Sequence, residues 1–468
     1  FHRAWHDLMR LAVAHELHSL PWTSPEPGAH AARTAMYLTA SQAEGGFACP
    51  ITMTFAAVPA LRAQPELAAQ WEPRLTSTEY DPVLRSPDDK RSALCGMAMT
   101  EKQGGSDVRA NTTVARPLGD TAPGEYELTG HKWFCSAPMC DLFLVLAQAP
   151  EGITCFALPR ILPDGTRNAM QLQRLKDKLG NRSNASSEIE LHGAWAQLVG
   201  EPGRGVPTII EMVGHTRLDC VIGTAAGMRW GVANATWHAA HRSAFGKRLA
   251  DQPLMRNVLA DLCVESEAAT ALAMRLARAY DEAATGAGNT RAAAFKRLAT
   301  AVGKYWVCKR GPGHAFEALE CLGGNGYVEE SGMPRLYREM PLASIWEGSG
   351  NVMALDVLRA LSRSHETLQA YLDELDDAAG ADRRLDAFVA SLRAEFADGE
   401  AIELRARRIV EAMALALQGS LLVRHAPAAV ADAFCASRLA GDAGLQYGTL
   451  PAGIDVQAIV ARHTPQPA

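Results

Sequence analysis

Apolar positions recur at helical spacing from the first residues, as in Trp5, Leu8, Leu11 and Val13, and residues 1–94 read as helical with Pro-rich interruptions at 21–27 and 82–87. From residue 94 to about 200 the period shortens. β-prone runs at 125–128, 132–135, 142–146, 153–158 and 188–191, separated by Gly, Pro, Asp and Asn, predict a compact β domain. Helical spacing returns over 206–362, with long stretches at 252–284 and 291–320 broken at 285–289. Gly223, Gly227 and Gly231 form a small-residue stripe there, which predicts a close helix approach. Residues 363–468 predict a further helical segment, so the chain is expected to be mainly α with a central β domain, divided as 1–94, 95–205, 206–362 and 363–468.

One stretch organises the second half. Ile345 and Trp346 run into Glu347, and Gly348, Ser349 and Gly350 loosen the backbone. A helix is expected after Asn351, with Val352, Leu355 and Leu358 on one face. A carboxylate thus stands before a helix start, where backbone N–H groups favour an anion or a polar ligand group. Taken alone, such a residue is more often an ordinary loop glutamate at a helix cap.

Two further stretches carry candidate chemistry. In Met97-Ala-Met-Thr-Glu-Lys-Gln-Gly-Gly-Ser-Asp107 a β-edge run enters a Gly-Gly-Ser turn, offering backbone N–H groups and the hydroxyls of Thr100 and Ser106. Gly130-His-Lys-Trp-Phe-Cys-Ser136 sets the flat Trp133 beside a small polar end. Other patterns fail. In His15-Glu-Leu-His18 the histidines are three apart with one residue too few for a zinc helix, so no metal is expected. Gly200-Glu-Pro-Gly-Arg-Gly205 is no dinucleotide fingerprint, because Thr208 stands where the third glycine belongs.

Composition narrows the class. The 468 residues are 48% hydrophobic and 21% charged, as in a soluble globular protein, and their length predicts two to four domains. No apolar run reaches the roughly 18–20 residues of a membrane span. Ten scattered cysteines without a CxxC pair or a secretory segment read as reduced thiols in the cytoplasm. The chain opens at Phe1 already inside a helical pattern, which reads as part of a longer protein. Net charge is −6, and residues 365–468 supply all of it, with nine Arg and no Lys against fifteen Asp and Glu. A net charge of −6 argues against a generic electrostatic grip on nucleic acid or membrane.

Together these stretches resemble the acyl-CoA dehydrogenase family over nearly the whole chain. Met99–Asp107 and the Lys132-Trp133 strand resemble its β-domain signature, and Arg242-Ser-Ala-Phe-Gly246 its helical Arg-x-x-Phe-Gly. Leu322-Gly-Gly-Asn-Gly-Tyr327 resembles its glycine-rich turn, and Trp346-Glu347-Gly348 the segment carrying its base. The AidB-like branch is closer still, through residues 49–57, 174–185, 334–341 and the extra helical segment. The resemblance implies an N-terminal helical domain, a middle β-barrel domain and a C-terminal four-helix bundle, plus that additional helical domain.

It also implies FAD-dependent α,β-dehydrogenation of a small or branched acyl-CoA thioester, with Glu347 as catalytic base; the position where some relatives carry the base holds Thr216. An α C–H is acidic enough only if the developing enolate is stabilised, which the family does with hydrogen bonds to the thioester oxygen. The implied cofactor contacts are Met97, Met99, Thr100, Gly105, Ser106, Trp133, Phe134, Cys135, Ser136, Trp346, Ser349 and Asn351. Arg242, Phe245, Gln252, Gly323 and Gly324 would reach the adenine end from a neighbouring subunit, implying a homo-oligomer, usually a tetramer. Here Gln252 lies one residue nearer Phe245 than the family spacing, and Glu320 replaces a glutamine. An electron acceptor protein is implied as a further partner. The alternative is a DNA-protective flavoprotein with vestigial dehydrogenase activity. Binding of double-stranded DNA, associated with the branch's last domain, is disfavoured by the −6 charge of 365–468.

Overall fold

The computed structural model describes residues 1–285 and 289–466, so the break expected at 285–289 falls largely outside the described residues. The backbone divides into two compact units, residues 1–29 with 43–219, and residues 30–42 with 220–468.

The first unit begins with α1 (Arg3–Ala14) and α2 (Leu20–Thr23); α3 (Ala29–Ser41) falls almost wholly to the second unit, and α4 (Ala48–Leu61) and α5 (Pro65–Leu75) return to the first. The His2 side chain accepts from the Ala4 N–H and caps α1, whose buried face is Trp5, Met9, Ala12 and Val13. Leu11, expected on that face, is exposed. α4 is apolar all round and buried nearly throughout.

Seven strands follow: β1 (Cys95–Ala98), β2 (Val114–Pro117), β3 (Glu125–Ser136), β4 (Leu142–Ala149), β5 (Gly152–Pro159), β6 (Met170–Leu175) and β7 (Ser186–Val199). Their pairings close on themselves, β4 to β5, β5 to β7, β7 to β3, β3 to β2 and β2 back to β4. β1 lies parallel on β4, and β6 adds to β7. Closure leaves β4 buried on both faces from Leu142 to Ala147, which is why its sequence is a continuous apolar run. The runs expected at 125–128 and 132–135 are one strand. Gly130 lets it continue, since a Cβ there would come within 2.8 Å of Thr113, and the register against β7 shifts between Leu128 and Thr129. β2 and β6 escaped the sequence pattern because they are short and largely exposed.

The second unit takes the later part of α6 (Gly205–His241), the hairpin β8 (Ser243–Ala244) with β9 (Lys247–Arg248), α7 (Pro253–Thr285) and α8 (Thr290–Glu320). After a 3-10 turn at Gly323–Tyr327 come α9 (Met333–Ala343) and α10 (Gly350–Arg363). α11 (His365–Asp376), α12 (Arg383–Ala397), α13 (Ile402–His425), α14 (Ala428–Phe434) and α15 (Val456–His463) complete it.

The glycine stripe works at two of its three positions. A Cβ at Gly227 would meet Met340 and Leu336 of α9, and one at Gly231 would meet Ala318 and Leu336, whereas Gly223 faces open space. α10 begins at Gly350 rather than after Asn351, and its buried face is Met353, Ala354, Val357 and Ala360. The face expected from Val352, Leu355 and Leu358 is therefore wrong by a rotation: Asp356 turns inward because Arg297 of α8 binds its carboxylate at 2.7 and 3.1 Å. Among the described residues no helix is long and apolar enough to cross a membrane.

Candidate active site

In the first unit the two motifs that carried the β-domain resemblance are brought together by backbone and charge. The Trp133 N–H donates to the Thr100 carbonyl at 2.8 Å, and the Lys102 N–H pairs with His131 Nε2 at 3.0 Å. Beneath them Glu101 and Lys132, neither named by the sequence as a site residue, form an ion pair at 2.7 Å with both side chains wholly buried. The Glu101 carboxylate also accepts from the Thr112 and Thr113 N–H groups at 2.6 and 3.1 Å and from the Thr112 hydroxyl at 2.9 Å. Burial works against its ionisation, but Lys132 and the threonine donors outweigh it and hold the carboxyl below the usual range. Lys132 spends a second proton on the Leu146 carbonyl at 2.7 Å, so the pair ties the turn after β1 to β3 and β4.

That tie presents the expected contacts unequally. Met97, Met99 and Thr100 are half-buried, and Gly105 and Ser106 exposed. A Cβ at Gly105 would come 2.4 Å from the Thr100 hydroxyl, so glycine leaves that hydroxyl its room. β3 loses its register on β7 between Lys132 and Cys135, and this bulge re-aims Trp133, half-buried, and Phe134, 47% exposed. Lys176 lies 3.4 Å from the Trp133 ring centre and 4.6 Å from that of Phe134, its ammonium held by Glu188 at 2.7 Å. Ser136 shares a hydrogen bond with Ser186 at 3.0 Å. Cys135 points the other way. Its thiol is fully buried, and burial pushes it up to about 12, so only its backbone is left for a ligand.

In the second unit Glu347 has φ +58° and Gly348 φ +104°. Two consecutive left-handed residues, the first of them not glycine, mark a strained turn of the kind found where function holds the backbone. Behind it Lys304 of α8, 1% exposed, donates its ammonium to the Gly348 carbonyl. The spacing hinted at this residue, since Ala301, Lys304 and Cys308 share the buried face of α8. The Trp346 indole N–H is buried and, among the described residues, has no acceptor. Ser349 stands exposed at the N-cap of α10 without a side-chain cap bond. Asn351 is held by Arg407 of α13, whose Nε donates to its Oδ1 at 2.8 Å. A Cβ at Gly350 would come 3.3 Å from Lys309 Nζ and 3.4 Å from an Arg407 guanidinium nitrogen.

The remaining expected contacts face outward. The β8–β9 hairpin carries Phe245 at φ +51° and 97% exposed, with Arg242 exposed at its foot. Gln252 spends its amide N–H on the Ala244 carbonyl at 2.9 Å and so braces the hairpin. Cβ atoms at Gly323 and Gly324 would meet nothing within 4 Å.

Residues 96–194 match the acyl-CoA dehydrogenase middle domain, residues 203–362 the acyl-CoA dehydrogenase C-terminal domain, and residues 1–82 the adaptive response protein AidB N-terminal domain. AidB of Escherichia coli K12 is 46% identical over 437 residues, 93% of this chain and 79% of that protein. The chain belongs to the acyl-CoA dehydrogenase family, in its AidB-like branch. Acyl-CoA dehydrogenase family member 11 of Caenorhabditis elegans is 32% identical over 390 residues, 80% of this chain and 62% of that protein. Among solved structures, C. elegans ACDH-11 in complex with C11-CoA superposes with a TM-score of 0.86 at 27% identity, covering 94% of this chain and 80% of the other. An acyl-CoA dehydrogenase from Bacillus anthracis complexed with FAD shares the fold at TM-score 0.70 and 18% identity, covering 98% of this chain and 79% of that one. The resemblance read from the motifs and the expected fold class therefore both hold.

Proposed function

We propose that the protein is an FAD-dependent acyl-CoA dehydrogenase in which Glu347 removes the α-proton of an acyl-CoA thioester. The observation that carries this reading is the strained turn: a carboxylate on a left-handed residue, inside the Trp-Glu-Gly segment and one residue from the glycine whose carbonyl Lys304 holds. A family relative that binds C11-CoA and another that binds FAD support the ligand classes. The residues present suit the cofactor. Gly105 leaves Thr100 uncovered, Trp133 is half-buried with the Lys176 ammonium over its ring, and among the described residues the buried indole N–H of Trp346 lacks an acceptor. Met97, Met99, Thr100, Gly105, Ser106, Trp133, Phe134 and Ser136 of the first unit are proposed FAD contacts, with Cys135 contributing backbone alone; Trp346, Ser349 and Asn351 of the second unit are proposed FAD contacts in their own right. FAD, when bound, supplies the hydride acceptor.

The chain's own residues do the rest. Exclusion of water from the half-buried Trp346-Glu347 segment once ligand is bound would raise the carboxylate's basicity towards the α-carbon. The Glu347 backbone N–H is a donor for the thioester oxygen, so that one residue both takes the proton and stabilises the enolate. Arg242, Phe245, Gln252, Gly323 and Gly324 would serve a neighbouring subunit's cofactor in a homotetramer. The test is anaerobic bleaching of the flavin by a panel of short, branched and C11 acyl-CoAs. Glu347→Gln is expected to slow bleaching by about 10²- to 10⁴-fold with flavin content unchanged, and full activity in that variant would refute the assignment.

A further inference from the structure

Lys304 enters the reading above only as the holder of the Gly348 carbonyl and is given no role in the chemistry, yet it is a fully buried charge in the second unit. It sits in the middle of α8 on a face otherwise made of Ala301, Val302, Tyr305 and Cys308, with 1% of its surface exposed. Its one hydrogen bond goes to the Gly348 carbonyl, and among the described residues no carboxylate pairs with it. A buried ammonium without a counter-ion is poor material for stability, since an apolar side chain of similar volume fills the same space without desolvating a charge. The backbone it touches is strained as well, with Glu347 and Gly348 both left-handed. Two costly features meeting at one peptide indicate that the geometry there is held for use.

We infer that Lys304 is a positioning residue for α-proton abstraction: by holding the Gly348 carbonyl it fixes the left-handed turn that aims the Glu347 carboxylate, and its charge favours that carboxylate's ionised form. The inference rests on Glu347 being the base. The lysine reaches the substrate only through that turn. Two further cations, Lys309 and Arg407, approach Gly350, two residues further along, and Arg407 is engaged by Asn351. Lys304 is directly bonded to the base's own turn.

The experiment follows α-proton exchange into D₂O by mass spectrometry on the flavin-loaded protein, with a 3-thiaacyl-CoA as probe, across pH 5–9. The probe's α-protons are acidified by the sulfur, so exchange reads proton removal without an electron acceptor. Lys304→Met is expected to slow exchange at least tenfold while flavin content and probe affinity stay within about threefold of the parent. Its acid limb is expected to move to higher pH, because removing a nearby positive charge raises a carboxylate's pKa. Lys304→Arg, which keeps charge and donor, is expected to recover part of the rate and the original limb. Should Lys304→Met not accumulate as folded flavoprotein, Lys304→Gln replaces it, keeping a donor and losing the charge, with the same limb shift expected. Parental rate and limb in the neutral variant overturn the inference, as does a rate loss with an unmoved limb, which is the mark of a merely structural lysine. Glu347→Gln run in parallel separates the two claims. If it still exchanges, the base reading falls and takes this inference with it; if it is inactive while the Lys304 variants behave as the parent, only the inference falls.

Discussion

A side chain aimed from a left-handed residue has few backbone alternatives, which is why Glu347 at φ +58° is a different object from a loop glutamate with the same neighbours. The sequence placed this residue through its motif, but conformation is a property of the whole turn and was not written in the Trp-Glu-Gly letters. The same holds for Glu101 and Lys132. Both lie inside motifs singled out for other residues, and their pairing across thirty-one positions becomes visible only when β3 comes to lie beside the turn after β1. Glu101→Gln leaves Lys132 buried without its counter-charge and is expected to destabilise the protein by about 3–5 kcal/mol, measured by urea unfolding. Because the folded pKa of Glu101 is depressed, its contribution is present above the unfolded value and is lost as pH falls through the folded one.

Helices and strands were legible where one period persisted and illegible where tertiary contacts chose the face. The long helices and the apolar β4 follow from pattern alone. The inward face of α10 does not, because Arg297 draws Asp356 inside and rotates the helix away from Leu355. Buried charge also joins elements in the last segment. Glu265 of α7 meets Arg310 of α8 at 3.0 Å and Arg438 of the π-turn Cys435–Leu439 at 3.3 Å, while burial works against it; the two guanidinium groups prevail and hold its pKa at about 2. His314, one turn along α8, is wholly buried, and burial lowers its pKa to about 4. The sign is the same for both groups, since the unfolded chain binds the extra proton in each case. Stability is expected to be full above pH 6.5, to fall by on the order of 3 kcal/mol towards pH 4 as unfolded His314 charges, and to fall again towards pH 2 as Glu265 protonates. His314→Gln should flatten the upper part of that curve, as read by urea midpoints at successive pH values.

At the scale of the molecule, a hairpin tip whose Phe245 is 97% exposed fits the oligomer proposed above. Phe245→Asn keeps the left-handed tip and removes the ring. It is expected to leave the fold intact, to shift sedimentation towards smaller species and to speed flavin loss. The DNA-protective alternative fares worse once side chains have partners. Of the nine arginines in 365–468, Arg384, Arg393, Arg405, Arg408, Arg424, Arg438 and Arg462 are all paired with carboxylates. A segment that has spent its cations internally has few counter-ions to exchange with phosphate. No mobility shift of duplex DNA is expected even at low salt, and a salt-dependent shift would restore that reading.

Arg407 spends its charge elsewhere, on Asn351 at the first turn of α10. A bond between the last helical segment and a residue expected to touch the cofactor makes the two thermodynamic partners, and such coupling runs in both directions. Flavin loading is then expected to quieten the tail: cleavage at the exposed 398–401 link before α13 should slow when cofactor is present, and a nicked tail should release flavin faster. The appended helices would thereby be steadied by the state of the cofactor site.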